Sequence, residues 1–475
     1  MNSEVERALK AIRDALRGTP YEGKVYLVGG YVRDKLLNRP LPNDVDLVLE
    51  GDALALAQFL YEKGVAQHEP VVYPRFGTAQ VHVEGVMIEL VTARAESYRS
   101  ESRKPIAVKP ASLMEDALRR DFTVNTLLEN LHTGEVIDPL GQGIADLQAR
   151  ILRTPREPVA TFYEDPLRML RAVRLAVQLG FEIESGTYSA ICTDAERLKV
   201  ISVERIRDEF TKILDQPNAS HGLQILLDTG LLAIFGAPLL PMVGCSQNDY
   251  HLYDVWGHSL KAVEALNAVG AERSMPISWE LRLATLLHDV GKPDTRTVDE
   301  EGKVHFFGHA ERGAEIAEQW LKDLRYSNAT IERVCKLIRL HMRPGAYSPS
   351  WTDSAIRRLM RDAGDLLEPL LVLCEADSLA QRTDLTAPDF EGLRARIQQV
   401  RSAESIEKWR SPLSGVELMQ SFGLQPGPLL GRLKHYLQEQ VLEGHLRPDD
   451  KQTALAMATE FLKQEGEVSS SKPTP

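Results

Sequence analysis

The chain reads as a head of alternating strands and helices, α+β or α/β, followed by a long, mostly helical remainder. Three observations predict this. Between residues 24 and 140, short β-branched runs such as "KVYLVGG", "DVDLVLE", "TAQVHVEG", "VMIELVTAR" and "VIDPL" alternate with helix-like stretches. Beyond residue 151 the strand signals fade, and apolar residues recur with helical periodicity in "PLRMLRAVRLAVQLGF", "SVERIRDEFTKILD" and "ATIERVCKLIRLHM". At 475 residues the chain also exceeds the roughly 250–300 residues at which single cores stop growing, so at least two domains are expected.

Taken in order, the opening "MNSEVERALKAIRDALRG" predicts a polar, amphipathic helix within residues 1–23, without the apolar centre of a signal peptide. Residues 24–150 form the head. "RTPREP" marks the start of a helical neck and body, 151–245, and the Pro-, Gly- and polar-rich "APLLPMVGCSQNDYHLYD" opens a helical domain, 246–409. "RSPLSG" opens a helical tail, 410–464, and the polar "EGEVSSSKPTP" predicts a disordered terminus, 465–475.

Composition narrows the function. Apolar residues make up 43% and charged residues 26%, the balance of an ordinary soluble protein. The net charge of −12 argues against a generally basic nucleic-acid coat. A local basic groove stays open, because counterion release depends on the Lys and Arg next to phosphates. Cys192, Cys245, Cys335 and Cys374 form no Cys-x-x-Cys pair, which points away from a zinc knuckle or disulfide framework and towards a reduced cytoplasmic protein. No window approaches the roughly 20 apolar residues of a membrane span, so no membrane partner is expected.

The first chemical signal lies in residues 26–51, "YLVGGYVRDKLLNRPLPNDVDLVLEG". Side chains alternate along a strand, so Asp44 and Asp46 project from one face and repel one another. A divalent cation relieves that conflict, and Mg²⁺ favours one or two carboxylates completed by water and phosphate. Alone, the tripeptide also fits an exposed turn. Gly29 and Gly30, however, let backbone N–H groups approach a phosphate, and Arg33 adds a charge-assisted donor. The combination reads as a phosphate-plus-metal site, with Glu89 in "MIELVTAR" as a candidate third carboxylate.

Gly-Gly-x-Val-Arg-Asp followed by Asp-x-Asp resembles the head signature of the class II tRNA nucleotidyltransferases and bacterial poly(A) polymerases, within the polymerase-β-like superfamily. Other segments fit in order. "RRDFTVN" resembles the family element that places Arg120 and Asp121 near the nucleotide and its sugar, with Asn125 in support. "IDPLGQG" resembles the linker in which Asp138 and Gly141 are structural. In "YEDPLRMLRAVRLA", Asp165, Arg168, Arg171 and Arg174 follow at spacings of three and would sweep one side of a helix. A solvated charged face explains that spacing equally well. The resemblance implies instead that Glu164, Asp165 and Arg168 are an amino-acid template for the incoming base, with Arg171 and Arg174 on the triphosphate or holding the template carboxylates. It implies a transferase that adds C and A from CTP and ATP to a tRNA 3′ end, using Mg²⁺ held by Asp44 and Asp46. Members that add only CC or only A exist, and the uninterrupted stretch between Asp46 and Arg119 argues against a CC-only enzyme. Poly(A) polymerase is the competing activity within the family, and a metal-dependent phosphohydrolase with a non-catalytic RNA-binding head is the competing reading from another class.

A second constellation follows. His258, the adjacent pair His288 and Asp289, His309, His341 and Asp377 occur in the order that resembles the HD phosphohydrolase superfamily. Neutral imidazoles with carboxylates suit a divalent transition metal or Mg²⁺. The expected ligands are His258, His288, Asp289 and Asp377, with His309, His341 and Lys292 for a second ion or a phosphate. A scaffold that has lost hydrolysis remains the alternative. The tail, 410–464, resembles the tRNA-contacting helices behind such domains, and an end-cap for the helical domain explains it nearly as well.

Overall fold

The computed structural model describes residues 3–99, 102–247, 252–381, 388–403 and 411–470. The chain divides into two compact units. One is Met1–Pro241 with Gln319–Ser327, the other Met242–Glu318 with Asn328–Pro475.

The first unit begins with helix α1 (Ser3–Leu16), whose Val5, Leu9, Ile12 and Leu16 are buried at helical spacing. The head elements are β1 (Val25–Val28), α2 (Gly30–Leu36), β2 (Val45–Leu49), α3 (Ala53–Glu62), β3 (Val71–Tyr73), β4 (Thr78–Val83) and β5 (Val86–Thr92). Then come a hairpin, β6 (Arg94–Arg99) with β7 (Ser102–Pro110), and α4 (Leu113–Leu118), β8 (Leu128–Asn130), β9 (Val136–Ile137) and α5 (Gly143–Ala149). The main sheet runs β3-β4-β5-β2-β1-β8-β9. It is mixed: β2 and β5 are parallel, and the other pairs of this sheet are antiparallel. Val45, Leu47 and Val48 of β2 and Ile88 and Leu90 of β5 are buried, so β-branched and apolar side chains fill the head core as the runs predict.

The body follows as β10 (Ile151–Leu152), α6 (Pro158–Glu164), α7 (Leu167–Leu179), β11 (Glu182–Ile183), α8 (Ser185–Asp194), α9 (Val203–Leu214), α10 (Ala219–Asp228) and α11 (Leu231–Phe235). The β10·β11 pair went unread because two-residue strands are too short to show alternation. One expected helix is split. Asp165 adopts φ −140°, ψ 95° between α6 and α7, because the ring of Pro166 disfavours the helical region for the residue before it. Asp165 therefore lies off the helix that carries Arg168, Arg171 and Arg174, and its carboxylate accepts from Leu167 N at 3.2 Å.

The second unit contains α12 (Val255–Glu272), α13 (Trp279–Leu287), α14 (Lys292–Thr295), a small hairpin of β12 (Thr297–Val298) and β13 (Val304–His305), and the start of α15 (His309–Asp323). It continues with α16 (Asn328–Leu340), α17 (Met342–Gly345), α18 (Asp353–Ala363), α19 (Leu367–Leu379), α20 (Phe390–Ala403), α21 (Gly415–Phe422), α22 (Pro428–Leu442) and α23 (Lys451–Ser470). The expected boundary at 409–410 lies outside the described residues, as do 471–475 of the expected disordered terminus. Residues 465–470 correct that expectation: α23 extends to Ser470, with the strong helix formers Lys463, Gln464 and Glu465 carrying it on. Among the described residues, no helix is long and apolar enough to cross a membrane.

Candidate active site

Strand register builds the head site. Val28 at the end of β1 pairs with Asp46 of β2, and Asp46 pairs in turn with Glu89 of β5. The β1–α2 turn bends over this row at Gly29, whose φ of 77° favours glycine. A Cβ there would stand 3.7 Å from Asp46 Oδ2 and 4.0 Å from Arg120 Nη1. Asp44 is exposed one residue before β2, outside the strand that was expected to carry it, and lines the same cleft as Asp46. Gly30, Arg33, Asp34, Asp44, Asp46, Asn125, Arg171 and Arg174 line one cleft of about 240 Å³.

The charges in this unit fall into two sets. Every predicted arginine has a carboxylate or carbonyl partner. Arg33 donates from Nε and Nη2 to Asp34 at 2.8 and 2.9 Å and from Nη1 to Asn125 Oδ1 at 2.8 Å. It is 5% exposed, so it ties α2 to the turn holding Asn125 as well as lining the cleft. Asn125 Nδ2 donates onward to Asp121 at 3.0 Å, and Arg171 Nε donates to the other oxygen of Asp121 at 3.0 Å. Arg120 grips Asp116 through Nε and Nη2, and Arg174 pairs with Glu209 of α9 at 2.7 Å. Burial works against ionisation of Asp121, yet Arg171 and the bonds from Asn125 and Arg171 hold its carboxyl below the usual range.

Asp44, Asp46 and Glu89 form the other set. No side-chain hydrogen bond or ion pair to described residues engages them. Burial, Glu89 and Asp44 push Asp46 up to about 6, with Arg120 opposing. Three carboxylates that no described side chain pairs or hydrogen-bonds, with Arg120 acting on Asp46 only through its charge, suit a hard divalent cation, so the donor set fits Mg²⁺.

The template residues stand apart from the cleft lining. Glu164 pairs with Arg156 and lies 3.7 Å from Arg168, which is buried and donates to the carbonyls of Thr161 and Arg119. Arg168 thus reaches the residue before Arg120. Asp138 accepts from Ile144 N at 3.0 Å, and Gly141, with φ 69°, turns the chain towards α5. Sequence reasoning missed Asp116 and Glu209. Asp116 was legible as the carboxylate three and four residues before Arg119 and Arg120, whereas Glu209 carries no local signal.

In the second unit, α12, the turn after α13, the first residue of α14, the start of α15, the turn after α16 and α19 bring seven side chains together. His258 Nε2 lies 2.8 Å from Asp377 and 3.6 Å from Asp289, and His288 Nε2 lies 3.1 and 3.4 Å from Asp289 and Asp377. His309 and His341 approach the other Asp289 oxygen at 3.4 and 3.9 Å, and Lys292 reaches Asp289 at 2.7 Å. His288, His309 and His341 each set Nδ1 against a backbone carbonyl, of Thr285, Phe306 and Ile338. Carbonyls only accept, so each Nδ1 carries hydrogen and each Nε2 turns towards the carboxylates. Burial pushes the His288 imidazole down, but Asp289 and Asp377 carry it up to about 10. His341 is pushed down to about 4 by burial and by His288.

Two ligand groups result, His258 with His288 and Asp289, and His309 with His341 and Asp289. Imidazole nitrogens converging on a shared carboxylate fit divalent metals. Gly291 follows the His288–Asp289 pair and precedes α14. A Cβ there would meet the His309 carbonyl at 2.2 Å, so glycine lets the His309 backbone pack against the Asp289 turn.

Comparison with known proteins decides the family. Residues 25–153 match the Poly A polymerase head domain, 180–241 match the "Probable RNA and SrmB- binding site of polymerase A", and 249–382 match the HD domain. The CC-adding tRNA nucleotidyltransferase of Thermus thermophilus is 35% identical over 90% of this chain and 92% of its own length. The chain belongs to the tRNA nucleotidyltransferase family. The A-adding tRNA nucleotidyltransferase of Deinococcus radiodurans is 35% identical over 70% of this chain and 75% of its own. The CCA-adding enzyme of Limosilactobacillus fermentum is 30% identical over 93% and 94%. The crystal structure of the Bacillus stearothermophilus CCA-adding enzyme in complex with CTP shares the fold, at a TM-score of 0.65 and 24% identity over 98% of this chain and 100% of that one. Within this nucleotidyltransferase, the head match contains the carboxylate row and the HD match contains all seven clustered side chains.

Proposed function

We propose that this nucleotidyltransferase builds the CCA terminus of tRNA, adding C and A from CTP and ATP without a nucleic-acid template. The observation that carries the reading is the row of Asp44, Asp46 and Glu89, unpaired beside a cleft whose arginines are all held in place. Asp44 and Asp46 hold Mg²⁺, with Glu89 beside them. Bound there, Mg²⁺ would polarise the RNA 3′-hydroxyl and neutralise phosphoryl charge. The 3′-hydroxyl gives up its proton to water, its oxygen bonds to the α-phosphorus, the bond from that phosphorus to the bridging oxygen breaks, and pyrophosphate leaves. Arg171, Arg174 and Arg120 present positive charge to the triphosphate, with Gly29 and Gly30 giving it close backbone approach. Asp165 accepts from an exocyclic amine and Arg168 donates to the base edge, a pattern that cytosine and adenine satisfy.

Incorporation of labelled CTP and ATP, separately and together, into tRNA transcripts ending at the discriminator base, at C and at CC tests this. Addition of all three nucleotides is expected. Stopping after CC, or accepting only the CC-ended transcript, would replace the reading with the activity named for the Thermus or the Deinococcus relative. Runs of A on unrelated RNA would replace it with poly(A) polymerase. Asp44→Ala and Asp46→Ala are each expected to cut incorporation at least about 100-fold. Retained activity refutes the metal assignment.

The seven-residue cluster favours a second activity, metal-dependent phosphoester hydrolysis. His258, His288, Asp289 and Asp377 hold one divalent ion, with His309, His341 and Lys292 for a second ion or the phosphate. On a 2′,3′-cyclic phosphate, the oxygen of water bonds to phosphorus, one ribose oxygen departs and takes a proton, and a phosphomonoester remains. His288→Ala and Asp289→Ala should abolish this hydrolysis while nucleotide addition continues. Unchanged hydrolysis would show the site to be misassigned.

A further inference from the structure

The cleft over the HD cluster has an unusual mouth. It measures about 360 Å³, within the roughly 300–1,000 Å³ of small-molecule sites. Its inner wall is Asp289, Lys292, His309, His341 and Asp377, and its outer wall is Lys303, strand β13 and the loop that follows it. Phe307, on that loop, is 78% exposed, the most exposed large hydrophobic side chain among the described residues. Its neighbour Phe306 turns inward instead, beneath Lys292 Nζ at 5.4 Å from the ring centroid.

Phe307 is also oriented. Its ring stacks on His305 with centroids 5.2 Å apart and planes 11° from parallel. His305 Nε2 lies 2.6 Å from Asp299, whose carboxylate also accepts from the backbone N–H groups of Glu301 and Lys303. The hairpin turn therefore fixes the histidine, and the histidine supports one face of the phenylalanine. One isolated exposed ring is ordinary on a protein surface. Here the ring is held against His305 at the entrance to a cluster of imidazoles and carboxylates, with Lys303 lining the same cleft, and flat aromatic faces beside basic groups are the surfaces on which nucleobases stack.

We propose that Phe307, backed by His305, stacks the nucleobase of the HD-site substrate, and so makes that site selective for phosphoesters carrying a nucleoside. The proposal rests on the hydrolytic reading of the cluster and adds the substrate class and the specificity residue. Every base has a π-face, so the shelf accepts the four bases with little preference and rejects abasic esters. The same chemistry is offered by a free mononucleotide and by the terminal nucleotide of an RNA chain.

Two readouts on the full chain test it. In the first, 5-iodouridine 2′,3′-cyclic phosphate, alone or at the end of a short RNA, is irradiated with the protein and the adduct mapped by mass spectrometry. The expected adduct lies at Phe307, falls in Phe307→Leu and survives in Phe307→Tyr; the relative yields of the two probes identify the source. An adduct elsewhere, or one indifferent to Phe307→Leu, overturns the shelf. In the second, kcat/KM is compared between uridine 2′,3′-cyclic phosphate and ribose 2′,3′-cyclic phosphate with Mn²⁺, Co²⁺, Ni²⁺ or Mg²⁺. Phe307→Ala should lower the ratio about tenfold through KM, with Phe307→Tyr restoring it. An unchanged ratio overturns the proposal. Absence of hydrolysis in the wild type with all four ions instead overturns the hydrolytic reading, and the adduct then decides the shelf by itself.

Discussion

Asp121 sits between two donors of different kinds, the amide of Asn125 and the guanidinium of Arg171, and is 8% exposed. Its carboxyl is held below the ordinary value of 3.8. A group depressed in this way adds stability that is complete above the unfolded value and is lost as pH falls through the folded one. Asp121→Asn is therefore expected to cost on the order of 3 kcal/mol at neutral pH, because it leaves Arg171 without its partner. Chemical denaturation at several pH values checks this: the gap to the wild type should narrow as pH drops below about 3.8. A constant gap across that window would mean the charge is not what matters. At this scale the sequence was legible where a motif named the residue, as for Asp121 and Asn125. It was illegible for Glu209, because its bond to Arg174 joins helices whose packing no local pattern encodes.

Between elements, proline and glycine decide geometry. Pro166 ends α6 and takes Asp165 out of the helical register that the three-residue spacing suggested. Pro166→Ala removes the restriction, lets α6 run into α7 and swings the Asp165 carboxylate away from its cap. The expected outcome is a loss of nucleotide selection of about tenfold, read as UMP incorporation relative to CMP in single-nucleotide assays. If selection is unaltered, Asp165 does not read the base. Gly291 plays the corresponding part in the HD cluster. Gly291→Ala forces the His309 backbone outward, because the new Cβ would lie 2.2 Å from its carbonyl oxygen. Weakened binding of Mn²⁺ or Co²⁺ in calorimetry, by about 10-fold or more, is the expected result. Unchanged affinity would place the ion away from His309. Helix existence was plain from periodicity, but the break at Pro166 needed the rule for the residue before proline, and the tight approach at Gly291 involves a residue 18 positions away.

Over the whole molecule, each candidate site lies wholly within one compact unit: the carboxylate row in Met1–Pro241, the imidazole cluster in Met242–Glu318 and Asn328–Pro475. The two chemistries should therefore fail separately. EDTA is expected to stop both nucleotide addition and phosphoester hydrolysis, whereas Asp44→Ala should silence the first alone and His288→Ala the second alone. Loss of both activities from either substitution would show that the sites depend on each other. The chain by itself determined the α+β order, the mostly helical remainder, the two aspartates two residues apart and the succession of histidines, since these follow from side-chain periodicity and residue type. Tertiary structure decided the rest. Glu89 joins Asp46 only through the parallel β2–β5 register, and His258 meets Asp377 only because the chain returns after 119 residues. Such contacts depend on which faces pack together, and local sequence sets the face an element offers but not the partner that covers it.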